Sequence, residues 1–169
     1  MKFKTSYLIT LAVLGIILLY SYYYYFKTDS KSQLLWGRVS GNLLITYYIS
    51  MLLSMTGFLL LFYYLMISNS FTNTDSIKIF ISMLCIIIIS MLWMPLSLNY
   101  LHKKENITKY LTIFVLFLVA LSTLYLVYVL YGIKENNNIL FKNLAFCGIL
   151  YFFIHSFFFD FITWSKNFF

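Results

Sequence analysis

The chain has 169 residues, 62% of them hydrophobic and only 10% charged, with a formal net charge of +7. Its charges fall in short clusters between apolar runs of about twenty residues, each long enough to cross a hydrocarbon core of roughly 30 Å. That segregation excludes a water-soluble globular fold; the basic excess, without a basic face or a recognition fold, reads as lipid-headgroup contact and argues against nucleic-acid binding.

Span one is predicted over 7–26. Lys2 and Lys4 precede it as they would a signal peptide, but the run is long and ends in SYYYYF where a cleavage site would need small residues, so a retained helix is expected. Tyr20 and Tyr22 to Tyr25 then form an aromatic belt. The connector 27–40 carries Lys27, Asp29, Lys31 and Arg38, and Leu34, Leu35 and Trp36 suit an interfacial middle.

Span two is predicted over 41–67. Thr46, Ser50, Ser54 and Gly57 follow one another at helical spacing, a stripe expected to let another helix approach closely. The polar connector SNSFTNTDS suits turns and helix capping. Span three, over 77–96, contains Pro95, which has no amide hydrogen and clashes with the carbonyl of Met91. Either a kink near Met91 or a stop with a short interfacial continuation over 97–100 is expected.

Span four is predicted over 110–131, with Tyr125 and Tyr128 on one face and Gly132 as a C-cap before KENNN. Span five, over 141–164, is followed by Lys166 and by Phe168 and Phe169, an apolar pair suited to the interface. Cys85 and Cys147 each lie singly in an apolar run, without CxxC spacing, and are expected to be buried, reduced packing residues. The expected architecture is therefore all-α: one transmembrane domain over 1–169, a bundle of five spans.

Five spans place the termini on opposite sides. The N-terminal side carries five basic residues (Lys2, Lys4, Lys78, Lys134, Lys142) and the C-terminal side the other seven, a split that leans towards the C-terminal side as cytoplasmic. Trp36, Trp93, Trp164, Pro95, Asn99, His102 and Asp160 all map to the C-terminal side.

His155 and Asp160 are the only pair of strongly ionisable side chains inside the apolar core of a span, and an intramembrane ionisable residue is a functional hypothesis by default. Five positions at about 100° each put them about 140° apart on a straight α-helix, so they are not expected to line one cleft unaided. A ligand or ion site built from Asp160, His155, Trp164, Trp93 and Asn99 is one reading. In the other, His155 bonds a tyrosine or serine of a neighbouring helix, and Asp160 bonds Trp164 Nε1, a tyrosine hydroxyl or Arg38.

The His-x4-Asp spacing resembles that of glycerolipid acyltransferases, in which the histidine is the base. The likeness covers six residues, and no accompanying catalytic motif comes with it. His102 and His155 are the only histidines, there is no HExxH and no glutamate within a span, so neither a metal nor a cofactor is expected. The leading expectation is a non-enzymatic membrane protein acting through intramembrane helix contacts, as a scaffold or accessory. The alternative is a transporter, channel component or binder of a lipid or small hydrophobic ligand. Membrane lipids, a second copy or another membrane protein are the expected partners.

Overall fold

A computed structural model describes residues 2–169. Five long helices follow one another: α1 (Thr5–Thr28), α2 (Gly41–Ile67), α3 (Asn73–Lys103), α4 (Asn106–Gly132) and α5 (Ile139–Ile154). The last continues as a π-helical segment, His155–Trp164, and ends in the turn Ser165–Phe168. A short 3-10 helix, Ser32–Trp36, lies between α1 and α2, and no strand is present among the described residues. Taking Ile139–Phe168 as one helix, all five are long and apolar enough to cross a membrane.

Two features of the sequence set the start and course of α3. Thr72 Oγ1 accepts from the Asp75 amide at 3.1 Å while Asp75 Oδ2 accepts from the Thr72 amide at 3.2 Å, a reciprocal capping box in the polar connector. Pro95 then fails to stop the helix, which runs on to Lys103 and removes the expectation of a short separate continuation. Bonds beside the proline help to occupy the local carbonyls: Ser97 Oγ donates to Trp93 O at 2.7 Å, and the Tyr22 hydroxyl donates from α1 to Ser90 O at 2.7 Å.

The packing order differs from the chain order. α1 packs mainly on α3, α3 on α4, α4 on α5, and α5 on α2, so the consecutive helices α2 and α3 are not principal partners. One core runs between them, built from Leu11 of α1, Leu61, Tyr64 and Leu65 of α2, Ile79, Met83 and Ile86 of α3, Val119 and Leu126 of α4, and Ala145 and Ile149 of α5. Outward faces remain apolar, as at Ile16, Leu52, Ile88, Phe114 and Leu140. Helices apolar on both faces suit a lipid surround.

α2 meets α5 through glycines. A Cβ placed on Gly57 would lie 2.7 Å from Gly148 Cα and still closer to its carbonyl, so the two backbones touch. The buried seam of α2 is Tyr47, Ser50, Ser54, Gly57, Leu61 and Tyr64, at alternating spacings of three and four. Thr46 is not in it. That side chain is exposed and bonds its own Asn42 carbonyl at 2.9 Å, because Tyr47, one position on, takes the inward place. Cys147 likewise departs from expectation: it is exposed on the outer face of α5, while Cys85 is half-buried.

The connectors close the two ends. At the C-terminal end the 3-10 helix buries Leu35 beneath Trp164, whose Nε1 donates to Leu35 O at 2.8 Å. Gly37, at φ +55°, meets Asn167 and Phe168 so closely that a side chain there would strike their backbone. Arg38 donates from its amide to Asn167 O at 3.0 Å and from Nη2 to Lys166 O at 3.3 Å. Phe168 stacks on Trp164 at 4.3 Å, so the C-terminal aromatic pair belongs to this cap.

Candidate functional site

His155 and Asp160 are brought together by the π segment. In a π-helix the backbone bonds run from i to i+5, so residues five apart lie above one another. Thr163 Oγ1 follows the same spacing, donating to Phe158 O at 2.7 Å. His155 Nε2 therefore lies 3.5 Å from Asp160 Oδ1, and the expected separation of the two onto different faces is overturned. That expectation assumed α-helical spacing throughout span five. A carboxylate without partners among apolar side chains costs several kcal/mol or more, which favours the wider helical turn that delivers one.

A chain of polar groups extends from this pair into α2. The Tyr47 hydroxyl donates to Asp160 Oδ1. On the other edge of the imidazole, His155 Nδ1 lies 2.8 Å from Ser50 Oγ, and the Tyr151 hydroxyl donates to Ser50 Oγ at 3.0 Å. Ser54 Oγ turns away to its own helix, donating to Ser50 O at 2.8 Å. Aromatic rings wall the chain: Phe159 stacks on the imidazole at 5.5 Å and Tyr47 meets it edge-on at 5.4 Å.

The other residues expected at the site are divided. Trp164 is buried at the same end of the bundle, but its indole hydrogen is used by Leu35 O and not by Asp160. Trp93 packs edge-on against Trp164 at 5.3 Å, and its buried Nε1 has no hydrogen-bond partner. Arg38 binds the backbone of Lys166 and Asn167, away from Asp160. Asn99 is half-buried near the end of α3 and takes no part in the polar chain. Of the three partners expected for Asp160, the tyrosine hydroxyl is the one present.

Chemically, Ser50 Oγ, His155 and Asp160 form a hydroxyl–imidazole–carboxylate series of the kind that activates a nucleophile. Here the hydroxyl is 2% exposed. Two open surface grooves, one between α4 and α5 and one beside Cys85 and Ser122, are lined by none of Ser50, His155 and Asp160. What the geometry accomplishes is to tie α2 to span five by side-chain bonds in the apolar interior.

A carboxylate more deeply buried than Asp160, and not singled out in the sequence, lies at the opposite end. Glu135, in the connector between α4 and α5, is 5% exposed. It accepts from Ser68 Oγ, from Ser70 Oγ at 2.8 Å, from the Tyr64 hydroxyl at 3.2 Å, and from the amides of Asn137 and Asn138 at 3.0 and 3.2 Å. Burial alone would raise its pKa; the hydroxyl and amide donors outweigh that and hold it at about 2. The available signal was the pairing of two connectors on one side, SNS with its hydroxyls and ENNN with its acceptor.

Asp29, at the end of α1, is a further engaged carboxylate. His102 Nε2 lies 3.0 Å from its Oδ2, and the Lys31 amide donates to Oδ1 at 2.8 Å. Burial works to raise its pKa, but the His102 and Lys31 hydrogen bonds and their positive charges hold it below the usual carboxylate range. Among the described residues no cluster of three histidine, cysteine or acidic side chains is placed to hold a metal ion. Comparisons with protein-family models, with curated proteins and with solved structures return no match.

Proposed function

We propose that this chain is a multi-pass integral membrane protein that acts as a scaffold or accessory, holding another membrane protein or a second copy of itself through contacts between helices inside the bilayer. The observation that carries the reading is the engagement of Asp160. Its carboxylate is bonded by Tyr47 of α2 and faced by His155 of its own span. In a binder or carrier built on Asp160, that group would be turned towards a cavity; here it fastens two helices. A bundle with apolar outer faces is what a scaffold requires. The outer face of α2, with Ile45, Ile49, Leu52 and Met55, is separate from the seam that holds α5.

The test is photocrosslinking in native membranes from a reactive side chain placed at Leu52, compared with one at Ile16 on α1. The scaffold reading expects a discrete protein adduct from at least one position, retained in the Asp160→Asn variant when it inserts normally. Lipid adducts alone at both positions, together with ion or proton flux in proteoliposomes that disappears in Asp160→Asn, would replace this reading with the carrier alternative.

A further inference from the structure

The groove between α4 and α5 lies at the end of the bundle opposite Asp160. It has a volume of about 640 Å³ and is lined by Leu121, Leu124, Tyr125, Val127, Tyr128 and Tyr131 from α4 and by Phe146 from α5. From Leu121 to Tyr131 it follows α4 for about 15 Å, half of a hydrocarbon core of roughly 30 Å. It therefore matches the depth of one leaflet. Its wall is aliphatic at the deep end and tyrosine-rich towards the connector, the gradient expected from acyl chain to headgroup.

The charge beside it is net positive, with two lysines against the single ionised carboxylate of Glu135. Lys134 follows Tyr131 by three positions and is exposed. Lys142 Nζ donates to Ile133 O, which fixes a second ammonium at the end of α4. The nearby carboxylates keep their charge but are held by neutral donors and pair directly with neither lysine. Asp75 closes the capping box of α3, and both oxygens of Glu135 are held by Tyr64, Ser68, Ser70, Asn137 and Asn138. No ion pair among the described residues involves Lys134 or Lys142.

We infer that this groove holds an acyl chain of an anionic glycerophospholipid whose phosphate lies against Lys134 and Lys142. The apolar wall takes the chain whatever the headgroup, and the two ammoniums select the anionic one. Lys134 is the better probe of selectivity, being exposed and having a side chain that takes no part in the hydrogen bonds around Glu135. Leu124 is the better probe of the chain, since its side chain forms the wall and its replacement disturbs no buried core.

Native mass spectrometry of the purified chain tests this, using an equimolar mixture of phosphatidylglycerol and phosphatidylcholine with identical acyl chains. The parent should retain phosphatidylglycerol in preference, by roughly fivefold per engaged lysine. Lys134→Glu should lose most of that preference while still retaining lipid. Leu124→Trp, which fills the groove, should lose the retained lipid, with helical content unchanged by circular dichroism in both variants. Inorganic phosphate at millimolar concentration should not displace the lipid. Equal retention of the two lipids by the parent, an unchanged preference in Lys134→Glu, or undiminished retention in Leu124→Trp would each overturn the inference.

Discussion

Two carboxylates, the buried Glu135 and the half-buried Asp160, are each provided for in a different way. Glu135 gathers neutral donors from two connectors, whereas Asp160 relies on one hydroxyl and one imidazole. Because the Glu135 pKa falls from an ordinary 4.5 to about 2, its contribution to stability is fully present above about pH 4.5 and is lost as the pH falls through about 2. Thermal unfolding in detergent should therefore show the parent losing stability across that window, while Glu135→Gln lacks this component. Glu135→Ala should cost about 1–3 kcal/mol or more at neutral pH, since it strands buried donors. Little of this was legible. Glu135 looked like an ordinary connector charge because its hydroxyl partners lie more than sixty positions away. The His155–Asp160 contact was hidden for another reason: face assignments by 100° steps hold only where the helix is α.

At the scale of elements, the five helices were readable because apolar length is a direct requirement of the bilayer, and α2 was expected over the same 41–67 that it occupies. The finer seam was off by one position at Thr46, since small-residue spacing does not reveal that a large Tyr47 turns inward to reach Asp160. Gly57 and Gly148 touch through backbone, so Gly57→Ala should destabilise the α2–α5 pair by about 1–3 kcal/mol, measured by chemical unfolding. Pro95 gives the opposite expectation. Because α3 continues through it, Pro95→Ala should preserve the fold and raise stability by up to about 3 kcal/mol, as one backbone bond is restored.

For the whole molecule, the two ends are built differently. The C-terminal end is cross-tied by the 3-10 helix, the π segment and the aromatic cap, with the Tyr47–Asp160–His155–Ser50 chain beneath them. The opposite end presents lysines beside a lipid-depth groove. The central claim is that Asp160 fastens α2 to span five, and a double-mutant cycle between Tyr47 and Asp160 tests it most directly. Unfolding free energies of the parent, Tyr47→Phe, Asp160→Leu and the double variant would be measured in one detergent. Each single change should destabilise, and the double variant should recover part of the loss, with a coupling of about 1–3 kcal/mol. Additivity within about 0.5 kcal/mol would contradict the account, because the two side chains would then act independently.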